Sequence, residues 1–127
     1  MIYLLDTNVC IDVLHSHVRK RLSGGLAVST VVVYELFYGA EKCRLPQYER
    51  TKIENFLQTV RIVPFDTDAA KESAKIRAEL EAVGRSIGPY DLQIAGHAIA
   101  LNLILVTANM REFSRIPALR LENWLEG

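Results

Sequence analysis

Met1-Ile2-Tyr3-Leu4-Leu5-Asp6-Thr7-Asn8 decides how this chain reads. Ile2 to Leu5 form a continuous apolar run, too short for a helix and rich in strand formers. The run predicts a strand buried on both faces, as in a parallel sheet. It stops on a carboxylate, Asp6, and the next two residues, Thr7 and Asn8, both favour the start of a helix. An acid between such a strand and such a helix stands at the carboxyl edge of the sheet, where open α/β folds place their ligands. Burying it there is unfavourable without compensation, and no basic residue lies nearby in sequence. A metal cation would compensate it. The plainer alternative is that Asp6 only caps the first helix.

Whole-chain quantities bound the problem. The 127 residues fit one domain, 1–127, and are enough for a hydrophobic core without staples. Hydrophobic residues make up 50% and the formal net charge is +0, which excludes a disordered chain and a generic polyanion binder. Any nucleic-acid contact must then use a local patch. Cys10 and Cys43 fit no metal or redox spacing, so a reducing, cytoplasmic location is expected. Asp6 comes too early for a signal peptide. The apolar stretch from Ile87 to Val106 contains Asp91, Gln93, His97 and Asn102, so it predicts a helix followed by a strand and no membrane span.

Outward from the first strand, a helix is expected over Thr7 to His15 with Val9, Ile11 and Leu14 inward. Arg19, Lys20 and Arg21 then form a charge run that reads as a solvated face rather than an RNA-binding patch. Leu26 to Ser29 predict a second strand, and Thr30 opens a buried helix through Cys43. Glu35 sits within the apolar surface of that helix. It shares a face with Val31, Val32 and Gly39, and a mid-helix glycine often marks close approach of backbone or ligand. Further elements are a helix over Gln47 to Val60, an edge strand over Arg61 to Phe65, and a helix over Ala69 to Val83 capped by Asp66 to Asp68. That helix should bury Ala70, Ala74, Ile76, Leu80 and Val83. Asp91 lies in the first turn of the helix Tyr90 to Ala100, on the side of Ile94, Ala95 and Ala98 that packs on the sheet. Leu103 to Val106 predict another central strand, ending in Thr107-Ala-Asn109, and Leu119 to Trp124 a last one.

This order describes a three-layer α/β/α sandwich around a parallel sheet. Asp6, Glu35, Asp91 and Asn109 can all fall on one edge. Three carboxylates around one point repel by several kcal/mol at an effective dielectric of ~20, unless protonated or joined by a divalent cation. Oxygen-only ligands select Mg²⁺ or Mn²⁺, and such a site suits hydrolysis of phosphodiesters.

The quoted residues carry a resemblance. Leu5-Asp6-Thr7-Asn8, Tyr34-Glu35-Leu36 with Gly39-Ala40-Glu41, Ile87-Gly88-Pro89-Tyr90-Asp91 running into Ile94-Ala95-Gly96-His97-Ala98, and Thr107 with Arg111-Glu112-Phe113 resemble a PIN-domain ribonuclease of the VapC toxin type. The likeness spans essentially the whole chain. It implies a PIN-like fold and a Mg²⁺-dependent endoribonuclease with Asp6, Glu35 and Asp91 as catalytic, metal-holding acids, supported by Thr7, Asn8 and Thr107. It further implies a homodimer, a VapB-like antitoxin that blocks the site in a toxin–antitoxin hetero-oligomer, and contact with operator DNA only through that antitoxin. The Gly-Pro-Tyr-Asp and Arg-Glu-Phe signatures are associated with cutting initiator tRNA at the anticodon stem-loop. One position departs from the family: Asn109 stands where many PIN domains have Asp, removing a charge that Glu112 could supply.

Two other functions compete. Histidine-based RNA cleavage needs an acid–base pair near the 2′-hydroxyl, but His15 and His17 lie on a helix end and His97 points away from Asp91. Metal-dependent hydrolysis, leaving a 5′-phosphate, is the preferred chemistry. The non-enzymatic alternative is a catalytically weak PIN domain that binds an antitoxin and regulates its own operator.

Overall fold

The computed structural model describes residues 1–14 and 25–124. It holds β1 (Tyr3–Leu5), α1 (Thr7–Leu14), β2 (Leu26–Ser29), α2 (Thr30–Glu41), α3 (Pro46–Leu57) and β3 (Arg61–Val63). α4 (Thr67–Ala82), α5 (Pro89–Ala100), β4 (Ile104–Val106), α6 (Met110–Phe113) and β5 (Leu121–Glu122) follow. All five strands are parallel, in the order β3-β2-β1-β4-β5. Parallel strands joined by helical crossovers of one hand put helices on both faces, giving the expected α/β/α layering.

The strand order reverses at β1. The chain steps from β1 through β2 to β3 in one direction, then returns past β1 to add β4 and β5 on its other side. The gap between β1 and β4 is therefore the topological switch point, where the crossovers part and leave a crevice at the strands' carboxyl ends. Register fixes what stands there. Leu4 pairs with Leu105 and Leu5 with Val106, so the next residues, Asp6 and Thr107, emerge side by side. These central strands are apolar throughout because both faces are covered: Leu4, Leu5, Leu105 and Val106 are fully buried.

Two helices stop in the same way, and both stops position site residues. Gly84 follows α4 at φ +68, with Gly84 N–H donating to Glu81 and Arg85 N–H to Leu80. Asn102 follows α5 at φ 56, with Asn102 N–H donating to Ile99 and Leu103 N–H to Ala98. This pair of bonds satisfies the last carbonyls and needs a left-handed residue, which Gly and Asn tolerate best. The first turn brings the chain back toward the start of α5. The second aims it directly into β4.

Several expectations are corrected. Ile11 is exposed and Cys10, beside Val9, takes the buried position in α1. The predicted end of α1 at His15, the charge run around Arg19, and His17 lie outside the described residues. α4 begins two residues earlier than expected, at Thr67, because Asp66 caps it by accepting from Ala69 N–H. Its buried stripe is Ala69, Ser73, Ile76 and Leu80, while Ala70, Ala74 and Val83 are exposed. The cause is α5: Gly96 lies so close that an added Cβ would stand 2.1 Å from Ser73 Oγ. Gly39 has the opposite setting: among the described residues nothing lies within 4 Å of its missing Cβ, so it marks no close approach there. β3 is an edge strand, as the proline after it predicts, but spans only three residues. Among the described residues no helix is long and apolar enough to cross a membrane.

Candidate functional site

Asp6 is only 3% exposed, and both of its carboxylate oxygens are held. Thr7 N–H donates to Oδ1 at 2.8 Å and Thr107 Oγ1 donates to Oδ2 at 2.7 Å. The helix-cap alternative is half true, since Asp6 does bond the first backbone N–H of α1. Its second oxygen, however, is committed across the switch point to a residue 101 positions away. Burial pushes the Asp6 pKa up from the ordinary carboxylate value. The Thr107 and Thr7 bonds oppose that shift, and the charge of Glu35 adds to it.

Glu35 reaches the same edge from α2. Ser29, the last residue of β2, caps α2 by accepting from Val31 N–H, which fixes the helix on the strand. Glu35 is half-buried rather than fully buried, and Thr7 Oγ1 donates to its Oε1 at 2.7 Å. Thr7 thus serves two acids, the backbone to Asp6 and the hydroxyl to Glu35. Asn8 is exposed and takes no part in the hydrogen bonds between these groups.

Asp91, half-buried in the first turn of α5, carries the clearest electrostatic signature. Its pKa is pushed up from 3.8 to about 7. Desolvation is the largest cause, followed by the charge of Asp6, then the charge of and hydrogen bond with Glu112, then the charge of Glu35. Asp91 therefore feels the other three acids. Thr107 Oγ1 also accepts from Asn109 N–H at 2.9 Å, and Asn109 Nδ2 donates to Glu112 Oε2 at 3.3 Å. Glu112 faces inward from α6 and is a member of this web, not a free surface charge. Asn109 itself orients it through a neutral amide.

The two ion pairs formed wholly between described residues, Arg50–Glu41 and Arg77–Glu81, include none of these acids. Among the described residues no three acidic, histidine or cysteine side chains are already drawn together tightly enough to hold an ion. The acids feel one another electrostatically without being gathered into a ready-made ligand cluster. The donor chemistry fits a hard divalent cation, because the groups are oxygen-only and their repulsion is unneutralised. A cleft of about 490 Å³ between α4 and α5 is lined by Ser73, Arg77, Glu81 and Gln93 among others, and none of the four acids borders it.

His97 is removed from this chemistry. It is 1% exposed, its Nδ1 lies 2.9 Å from Ser29 Oγ, and its ring packs edge-on to Phe65 at 5.6 Å. Burial lowers its pKa, so it stays neutral as a core hydrogen-bonding group. Two residues that the motifs contain but that were given no role also flank the site. Tyr34 and Tyr90, each beside an acid, join hydroxyl to hydroxyl at 3.4 Å across α2 and α5. Their signal was adjacency to Glu35 and Asp91 combined with exposure, and exposure is not readable from one chain.

A parallel sheet in the order β3-β2-β1-β4-β5 with interacting acids at its switch point defines a class: an α/β protein that carries a carboxylate-lined site at the sheet's carboxyl edge. The sequence profile of the PIN domain matches residues 3–119. The chain is 41% identical to the tRNA(fMet)-specific endonuclease VapC of Salmonella typhimurium, covering 96% of this chain and 97% of that protein. It is 42% identical to ribonuclease VapC2 of Haemophilus influenzae, covering 97% and 98%. The crystal structure of VapBC2 from Rickettsia felis bound to a promoter DNA fragment superposes with a TM-score of 0.90 at 38% identity, covering 98% of this chain and 99% of that one. DNA-bound VapBC from Salmonella typhimurium gives 0.92 at 37%, covering 98% of each chain. The chain belongs to the PIN-domain family, within its VapC toxin ribonucleases.

Proposed function

We propose that this chain, as a single PIN domain, is the toxin of a toxin–antitoxin pair: a Mg²⁺- or Mn²⁺-dependent endoribonuclease that hydrolyses RNA phosphodiesters. The observation that carries the reading is the hydrogen-bonded web Glu35–Thr7–Asp6–Thr107–Asn109–Glu112, with Asp91 electrostatically tied to Asp6, Glu35 and Glu112, which gathers acids of α2, α5 and α6 around Asp6 at the end of β1. Asp6, Asp91 and Glu35 would hold the cation. A divalent ion bound there supplies Lewis acidity and makes water nucleophilic near neutral pH.

The chain's own groups do the rest. Thr7 N–H and the Thr107 hydroxyl fix the plane of the Asp6 carboxylate and hold down its proton affinity. The Thr7 hydroxyl fixes Glu35. Glu112, held by the Asn109 amide, neighbours Asp91 and keeps local negative charge high. Without neutralisation such a crevice repels an RNA phosphate, so a cation held by Asp6, Glu35 and Asp91 would also make room for the substrate's charge. The buried, neutral His97 offers no acid–base partner for a 2′-hydroxyl, which supports hydrolysis with a 5′-phosphate product.

The tRNA(fMet) specificity named for the Salmonella relative, together with Gly88-Pro89-Tyr90-Asp91 and Arg111-Glu112-Phe113 in this chain, supports initiator tRNA as the substrate. The DNA-bound VapBC complexes among the structural relatives support a VapB-like antitoxin and an operator-bound complex; a toxin homodimer and DNA contact through the antitoxin alone rest on the family resemblance. The test is brief expression in cells, with adaptor ligation of cleaved RNA without kinase treatment. Products that ligate through a 5′-phosphate, and that disappear in the Asp6→Asn variant, are expected; in vitro, EDTA should abolish the same cleavage. Ends bearing 2′,3′-cyclic phosphate overturn the mechanism. An absence of cleavage, with antitoxin binding intact, returns the chain to the non-enzymatic alternative.

A further inference from the structure

Besides its acids, the crevice has a rim of tyrosine rings. Tyr34 precedes Glu35 in α2 and is 55% exposed; Tyr90 precedes Asp91 in α5 and is 41% exposed. Their ring centroids stand 5.7 Å apart at 48°, and the hydroxyl–hydroxyl bond of 3.4 Å ties them together. One turn along α2, Tyr38 is 56% exposed, and Lys42 Nζ lies 4.8 Å from the centre of its ring. Glu35 and Tyr38 both act electrostatically on the Tyr90 hydroxyl, so rings and acid occupy one neighbourhood. Every large hydrophobic residue left exposed on α2 and α5 is one of these tyrosines.

The hydroxyl contact holds the two exposed rings beside one another, with much of each ring's surface open to solvent. A base has a π-face whatever its sequence, so such rings accept unpaired bases by stacking, and a cation beside them can meet the phosphate backbone. Aromatic rings also occur at protein interfaces, but lysine is depleted there, and Lys42 over the Tyr38 ring favours a phosphate-bearing partner. We propose that Tyr34 and Tyr90, extended by Tyr38 and Lys42, form a stacking platform that seats an unpaired base of the RNA next to the scissile phosphate. The proposal rests on the ribonuclease reading of the adjoining acids. It assigns the platform a positioning role: it selects single-stranded or loop RNA and leaves the bond-breaking groups to the crevice.

The experiment uses the full chain and a short single-stranded oligoribonucleotide carrying 2-aminopurine, whose fluorescence is quenched by stacking. Binding is measured in EDTA, and cleavage of a stem-loop RNA in Mg²⁺. The variants are Tyr34→Leu, Tyr90→Leu and the double substitution, with Tyr34→Phe and Tyr90→Phe as ring-retaining rescues and a melting curve for each. Wild type should quench the probe. The leucine variants should lose the quench and raise KM on the order of tenfold, the size of one lost stacking contact, with a much smaller change in kcat. The phenylalanine variants should recover the quench. The proposal is overturned if folded leucine variants quench and cleave as wild type does, or if they lose only antitoxin affinity, which would make the patch a protein interface. Wild type that quenches without cleaving upholds the platform and sinks the nuclease reading. Wild type that cleaves without quenching does the reverse.

Discussion

Asp91 is the residue at which the competing roles separate most cleanly. Its pKa of about 7 is well above the ordinary 3.8, so in the folded protein it holds its proton across a pH range where the unfolded chain has lost it. The stabilisation from that retained proton is fully present below about pH 4 and is lost as pH rises through about 7. Metal-free protein should therefore melt at progressively lower temperature across that interval. Asp91→Asn removes the charge at nearly constant shape and should flatten the slope. In EDTA near neutral pH the variant should melt higher than wild type, by on the order of 1 kcal/mol given that the carboxylate is half exposed and screened. Mg²⁺ should act in the opposite sense, stabilising wild type more as pH rises because the ion competes with the proton, and stabilising the variant little. Melting curves in EDTA and in millimolar Mg²⁺ read both effects. A variant that melts lower than wild type in EDTA and shifts equally with Mg²⁺ makes Asp91 a structural cap.

At the scale of elements, two glycines in helices make a controlled contrast. Gly96 of α5 meets α4 so closely that an added Cβ would lie 2.6 Å from Ser73 N and 2.7 Å from Ser73 Cα, which is backbone and cannot swing aside. Gly96→Ala should separate the two helices and destabilise the protein by about 1–3 kcal/mol or more. Because α5 carries Asp91, Mg²⁺ stabilisation should weaken with it. Gly39 of α2 has open space around it and an ordinary helical setting. Gly39→Ala should stabilise by roughly 0.5–1 kcal/mol, the usual gain when alanine replaces glycine within a helix. Denaturant midpoints measure both substitutions. A Gly39→Ala protein that is folded and more stable but binds RNA poorly would show that the open space at this position serves a ligand.

For the whole molecule, the decisive property is that the crevice gathers acids while the chain as a whole is neutral. A proteinaceous inhibitor of such a site needs a cation of its own, and a guanidinium can pair bidentately with the carboxylates that would otherwise hold metal. The antitoxin segment that enters the crevice should therefore place an Arg or Lys against Asp6 or Asp91. Alanine in place of each basic residue of that segment should restore RNA cleavage in the presence of antitoxin. Full inhibition by an antitoxin segment stripped of every basic residue counts against this.

The sequence alone determined the strand runs, the helices between them except α6, and the places of Asp6 at a strand end and Asp91 at a helix start. Those follow from local rules: Ile2 to Leu5 is apolar without a helical period, Asp6 ends it, and Asp91 falls in a first helical turn. The motif spacing also carried the PIN resemblance. What it left open depends on neighbours distant in the chain. Ala70 and Ala74 fit an apolar stripe as well as Ala69 and Ser73 do, and only the close approach of Gly96 selects the latter pair. Sequence left open what Glu112 faces, and the fold of α6 sets it against Asn109 and Asp91. Thr7 and Thr107 were helix-start and strand-end residues until the β1–β4 register set them against Glu35 and Asp6. Periodicity reports which face of an element is apolar, whereas hydrogen-bond partners 28 and 101 residues apart are set by strand order and register alone.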